Sequence, residues 1–179
     1  RHRKIGPEAK SSFRMIPMLK NITRGVILAL VASMWAGFAV AQPTASFVMD
    51  ARTGEVLYAR NADLRVHPAS LTKMMTLYLA FVELEAGRIT LDQQVTISSH
   101  AASMPPSELG LRTGQKVSVR TLIRGAAIRS ANDAATAIGE LISGSEAAFA
   151  ERMTQAAREM GMRNTTFRNA NGLTANGHL

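Results

Sequence analysis

The sequence predicts a mixed fold of the α/β (α+β) class. Three observations lead there. Strand-like text at residues 45–60 flanks a Thr53-Gly54 turn. Apolar residues then recur at helical spacing in several later stretches. The chain is 46% hydrophobic and has no cysteine, so packing rather than a disulfide framework must hold it together.

The elements follow in order. Residues 45–50 (ASFVMD) and 55–60 (EVLYAR) read as two short strands, and the glycine-containing turn between them makes a hairpin. Residues 61–68 are polar and loop-like, and Pro68 stands where a helix can begin. From Ser70 to about Glu85, Leu71, Met74, Met75, Tyr78, Leu79 and Val82 recur at helical spacing. Nearly every side of that helix is apolar, which predicts a central, buried position. Gly87 ends it. Residues 93–97 (QQVTI) predict a short strand, and 98–116, rich in Ser, Pro and Gly, an irregular loop. Residues 118–128 predict a helix. A second follows Ser130-Ala131-Asn132-Asp133 and runs to Ile142. A third covers 145–160, capped by Ser143 or Ser145 and closed by Gly161. Residues 162–179 are polar, with Asn-Gly at 171–172 and 176–177.

The length of 179 residues suits one domain of ordinary size. The net charge of +8 suggests a nucleic-acid partner until its position is considered. Residues 1–41 hold seven basic side chains and one acidic one, so the rest of the chain is only +2. No basic patch interleaved with aromatics occurs there, and nucleic-acid binding is not expected. Residues 25–40 (GVILALVASMWAGFAV) are apolar, follow Lys20 and Arg24, and precede Ala39-Val40-Ala41. Basic, then apolar, then A-x-A is the layout of a secretory signal peptide. Residues 1–41 are therefore expected to be removed, leaving 42–179 in an exported, extracytoplasmic compartment. Met18 would open a compact leader, and residues 1–17 are expected to be upstream read-through or the result of a mis-set start.

Two motifs carry chemistry. Ser70-Leu71-Thr72-Lys73 sets a hydroxyl and an amine three residues apart, on one side of a helix. Serine is a weak nucleophile until a base takes its proton, and a neutral lysine can be that base. A lysine pKa near 10.4 must fall for this, and burial against Met74, Met75 and Tyr78 is the expected cause. Backbone N–H groups at a helix start can stabilise an oxyanion. Ser130-Ala131-Asn132 adds a second hydroxyl, able to relay a proton, and a carboxamide able to hold both a lysine and a substrate amide. Ser130 and Asp133 also fit a capping box, a structural role compatible with catalysis.

The run HPASLTKMMT, then RSANDAATAIGE, then GMRNTTFRNANGL, preceded by ASFVMDARTGEVLYARNAD, resembles the D-alanyl-D-alanine carboxypeptidases of the low-molecular-mass penicillin-binding type, peptidase family S11. The resemblance covers about residues 43–179. It implies the penicillin-recognising fold, an antiparallel sheet flanked by helices, with a helical part carrying Ser130. It implies Ser70 as acylated nucleophile, Lys73 as general base, Ser130 as proton relay and Asn132 as substrate-orienting amide. The substrate would be a peptidoglycan stem peptide ending in D-Ala-D-Ala. β-Lactams would acylate the same serine, and no metal or organic cofactor is implied.

The family's third motif, K-T-G on an inner strand, has no counterpart. Arg52-Thr53-Gly54 precedes the nucleophile, and Arg112-Thr113-Gly114 lies between the motifs. The chain is thus expected to be the N-terminal part of a catalytic domain, incomplete and inactive or poorly folded alone. Any membrane association would come through a missing C-terminal region. Three alternatives stand beside this reading: a class A β-lactamase, a D,D-endopeptidase of the same fold, and a non-catalytic exported peptidoglycan-binding module. The β-lactamase needs a deacylating glutamate soon after Ser130, and segment 162–173 contains none. His2, His67, His100 and His178 are read as scattered, Met74 and Met75 as core, and Glu83 and Glu85 as solvated.

Overall fold

The computed structural model of the chain describes residues 44–179. The expected signal peptide at 1–41 lies outside them. Strands β1 (Ser46–Met49) and β2 (Val56–Arg60) pair antiparallel, with Ser46 opposite Arg60 and Phe47 opposite Ala59. Asp50 makes the turn. Its carboxylate accepts the N–H of Arg52 at 2.8 Å and of Thr53 at 3.1 Å, and these donors hold its pKa below the ordinary value. Phe47, Val48, Leu57 and Tyr58 are all exposed.

A 3-10 turn, Ala69–Leu71, runs into helix α1 (Thr72–Glu85). Strand β3 (Gln94–Thr96), the short helix α2 (Ser99–Ala102) and strand β4 (Lys116–Ser118) follow, then helices α3 (Val119–Arg129), α4 (Asn132–Ser143) and α5 (Glu146–Glu159). Strands β3 and β4 form a second antiparallel pair, Val95 opposite Val117. The expected irregular loop at 98–116 therefore contains a helix and ends in a strand. That strand has one buried apolar residue, Val117, too little for an alternating pattern to show. Serine starts three of the helices. Ser98, Ser118 and Ser145 each accept a first-turn N–H, from Ala101, Thr121 and Ala148.

Residues Thr44–Leu179 form one unit with two apolar clusters. The first holds Val95, Ile97, Val119, Leu122 and Ile138; the second holds Phe149, Met153, Ala157, Phe167 and Ala170. Helix α1 feeds both, Ala80 to the first and Met75 and Leu79 to the second. Gly139 lets α4 and α5 close up, because a Cβ there would stand 2.8 Å from the Phe149 ring. Full burial of a side chain such as Phe149 contributes about 2–3 kcal/mol.

Three expectations need correction. Helix α1 is not buried all round. Thr72, Lys73, Met75, Thr76, Leu79, Ala80 and Glu83 are buried, whereas Leu71 and Met74 are 68% exposed and Tyr78 and Phe81 about half. Residues 162–179 are not a polar tail. They return to pack Phe167 and Ala170, and Thr166 and Leu179 exchange backbone hydrogen bonds of 2.7 and 2.8 Å. Glu83 is not solvated. It is buried, bonded to Arg88 at 2.6 and 2.8 Å and to Arg152, and its carboxyl titrates at about 2. The Arg88 hydrogen bonds are the main cause of that shift. Arg152 lies 69 residues on, so spacing could not announce it. Among the described residues no helix is long and apolar enough to cross a membrane.

Candidate active site

The site is built where α1 meets α4 and the segment 166–179. Pro68 precedes the 3-10 turn and Ala69 takes a φ of +48°, a left-handed conformation that costs a non-glycine residue about 1 kcal/mol. Neighbours hold it there. A Cβ on Gly172 would overlap the Ala69 carbonyl oxygen, so the chain passes against Ala69 only because residue 172 is glycine, itself at φ +90°. Ser70 follows, exposed, in the 3-10 turn rather than within α1. Leu71 and Thr72 are right-handed, so the turn continues into α1 unbroken. Ser70 and Lys73 are three residues apart across that junction and share one side of it.

Lys73 is 3% exposed. Its Nζ donates to Asn132 Oδ1 at 2.8 Å and to the Asn171 carbonyl at 2.6 Å. Burial lowers its pKa, in the expected direction. The wall is not the expected one. Met74 and Tyr78 are exposed and Met75 joins the second apolar cluster. Steps of 100° per residue turn all three well away from Lys73. The Asn132 amide at the start of α4 and the Asn171 carbonyl meet the amine instead. One turn on, Thr76 donates to the Ala170 carbonyl at 2.6 Å.

Asn132 opens α4 and is itself clamped. Its N–H donates to the Ser107 carbonyl at 2.7 Å and its Nδ2 to the Pro105 carbonyl at 2.8 Å. Those acceptors orient the amide with Oδ1 toward Lys73. Asp133 beside it accepts from the N–H groups of Leu109 and Leu111 at 3.0 Å, which pins the 105–111 loop. The capping box read from Ser130 and Asp133 is therefore absent. Ala131 is the N-cap of α4, and Ser130 ends α3 with φ +53° and ψ +34°. That left-handed residue turns the chain sharply enough for two helices to meet at the site. Ser130 lies two residues from Asn132, within about 7 Å of it along the backbone. Among the described residues neither the Ser70 nor the Ser130 hydroxyl is hydrogen-bonded.

Several participants carried no readable signal. Asn171 contributes a backbone carbonyl, which any residue possesses. Its side chain is held by Thr136 Oγ1 at 3.0 Å and Glu146 Oε1 at 3.1 Å. Glu146 also accepts from the Ala170 N–H and meets His100 at 2.7 Å. The Asn-Gly at 171–172 was legible as a turn, not as a wall of the site. His67 and His178, read as scattered, are joined through the His178 carbonyl at 2.8 Å.

Comparison with known proteins shows the family of the chain. The D-alanyl-D-alanine carboxypeptidase family, peptidase S11, matches residues 38–179. The chain is 45% identical over 126 residues to D-alanyl-D-alanine carboxypeptidase DacF of Bacillus subtilis, covering 70% of this chain and 32% of that protein. It is 39% identical over 138 residues to DacC of Escherichia coli, covering 74% and 34%. The crystal structure of DacD from Francisella tularensis superposes with a TM-score of 0.71 at 38% identity, over 80% of this chain and 37% of that one. Penicillin binding protein 5 from Haemophilus influenzae gives 0.71 at 37% identity, over 78% and 43%. The chain thus spans about a third of the length of the curated relatives it matches. The described residues share the penicillin-recognising fold of these structures and cover part of it. With the family matched over all of the described residues and the same fold found in its solved members, this chain belongs to peptidase family S11, the D-alanyl-D-alanine carboxypeptidases.

Proposed function

We propose that the full-length protein is an exported serine-type D-Ala-D-Ala carboxypeptidase that works through an acyl-enzyme on Ser70. The observation that carries this is the buried Lys73 amine and its two acceptors. A neutral amine has two hydrogens and one lone pair. The Asn132 and Asn171 oxygens take the two hydrogens, which leaves the lone pair for the Ser70 hydroxyl proton. Burial favours that neutral form. Ser70 Oγ then attacks the carbonyl before the terminal D-Ala, and its proton passes to Lys73. The tetrahedral intermediate collapses as the C–N bond breaks. Ser130 relays a proton from Lys73 to the departing amine, and D-Ala leaves. Water then attacks the Ser70 ester with Lys73 as base, releasing the shortened stem and restoring the serine. Asn132, with one amide hydrogen still unused, orients the substrate peptide. β-Lactams acylate the same serine.

The signal-peptide pattern at 1–41 and the cell-wall chemistry of the relatives' names support a location outside the cytoplasm. The apolar side chains open to solvent on the hairpin and on α1 support reading residues 42–179 as part of a larger catalytic domain, inactive alone. The test is labelling of the full-length protein with a fluorescent penicillin and release of D-Ala from a stem pentapeptide. Wild type is expected to do both. Ser70→Ala should take no label, and Lys73→Ala should acylate about a thousandfold more slowly. Labelling of Ser70→Ala at the wild-type rate would overturn the assignment.

A further inference from the structure

We propose that His178 is a positioning residue for the nucleophile, holding the Ser70 turn from both sides. This rests on the acyl-transfer reading above. The segment 170–178 touches nearly every residue that sets the conformation of that turn. The His178 backbone carbonyl accepts from His67 Nδ1 at 2.8 Å, three residues before Ser70. The His178 ring meets Thr72 Oγ1 through Nε2 at 2.8 Å, two residues after Ser70. Between these points Gly172 lies against the strained Ala69, and the Asn171 carbonyl holds Lys73. One residue thus grips the turn at both ends, and the nucleophile stands exposed in the middle.

The hydrogen-bond chemistry fixes the state of the ring. The Arg168 N–H can only donate, and it points at His178 Nδ1 at 3.2 Å. Nδ1 must therefore be the acceptor. The proton of the neutral imidazole is on Nε2, and it donates to Thr72 Oγ1. The ring is 1% exposed and stands edge-on to Phe167, with centroids 5.8 Å apart. Burial, with His67 and Arg168 nearby, lowers its pKa and so favours the neutral form. A protonated ring would set a second N–H against that of Arg168. The Thr166–Leu179 backbone pairing and the His178 N–H to Ala175 carbonyl bond at 3.1 Å brace the segment from behind. His178 does not touch the reacting atoms. It acts through Thr72 and His67 on where Ser70 Oγ stands, and a displacement of about 1 Å at a nucleophile can slow a reaction a hundredfold.

The experiment measures acylation of the full-length protein by a fluorescent penicillin, separating the acylation rate from non-covalent affinity. The two isosteric replacements divide the ring's functions. Gln can present an N–H where Nε2 stood, and Asn an oxygen where Nδ1 stood. His178→Gln is expected to acylate within about threefold of wild type. His178→Asn, His178→Ala and Thr72→Val are each expected to slow acylation of the folded protein about tenfold or more, with affinity little changed. His178→Ala and Thr72→Val combined should lose no more than the larger single effect. If His178→Ala does not fold, Thr72→Val and the Gln/Asn pair decide. Folded His178→Asn or Thr72→Val acylating at the wild-type rate overturns the assignment, as does equal impairment by Gln and Asn. A wild-type protein that takes no label overturns the acyl-transfer reading as well, so the two failures are distinguishable.

Discussion

The two faces of helix α1 depart from the usual rule. Its buried face carries Thr72, Lys73, Thr76 and Glu83 beside Met75, Leu79 and Ala80, while Met74, Tyr78 and Phe81, with Leu71 just before the helix, are exposed. An amphipathic surface helix keeps its polar residues outside and its large apolar ones inside. The buried polar groups are tolerable because each has partners. Thr72 meets His178, Lys73 meets Asn132 and Asn171, Thr76 meets Ala170, and Glu83 meets two arginines. No buried side-chain N or O among the described residues lacks a hydrogen bond. The apolar side has no such settlement: four large side chains are held in water on one face. A helix buries polar groups at this density where their positions are needed for chemistry. It exposes apolar ones at this density where another surface is meant to lie.

The largest effect is expected where the polar face meets the returning segment. Gly172→Ala forces a Cβ into the Ala69 carbonyl at a left-handed φ. It should destabilise the fold by about 3 kcal/mol, read as a fall of roughly 10 °C in melting temperature. A neutral outcome would mean that the segment does not brace the turn, and the contrast between the faces would lose its functional meaning. Next is Glu83. Its folded pKa of about 2 lies below the ordinary 4.5, so the ion cluster stabilises fully above about pH 4.5. That contribution is lost as pH falls from 4.5 toward 2, because the unfolded chain takes up the proton first. Glu83→Gln should lower stability at pH 7 by about 2 kcal/mol, a figure reduced for the half-exposed arginines. It should also flatten the acid limb of an unfolding-versus-pH series. An unchanged acid limb would show that the Glu83 carboxylate adds no pH-dependent stability and that its ion cluster does not hold the buried face.

The smallest effect belongs to the apolar face. Met74→Lys and Phe81→Lys in the 179-residue chain should change stability by less than about 0.5 kcal/mol. Both should reduce the fluorescence of a hydrophobic dye bound to it. A loss above 1 kcal/mol would show that the face is already packed.

Much of the fold was legible. Helices α1, α3, α4 and α5 followed from periodicity, α5 also from its cap Ser145, and the first hairpin from Asp50 and Thr53-Gly54. Strand β4 and the two-faced character of α1 were not, because a three-residue strand has no period and residue type does not reveal which apolar face is covered. Of the site, Lys73 and Asn132 were legible and they meet. Asp133 was legible as a polar residue near a helix start, yet it pins a loop rather than capping its own helix.

Local chemistry in the chain was enough to specify where most helices run, where the hairpin turns, and where a hydroxyl and an amine stand three residues apart at a helix start. These depend on neighbours three or four residues away, which any reading of the text can see. The tertiary arrangement supplied everything that joins residues sixty to a hundred positions apart. The amide of Asn132 and the carbonyl of Asn171 meet at Lys73, Arg152 reaches Glu83, and His178 grips the turn around Ser70. Most of these contacts use backbone atoms, or side chains whose type alone names no partner. They exist because the chain folds back, and packing selects them rather than local spacing.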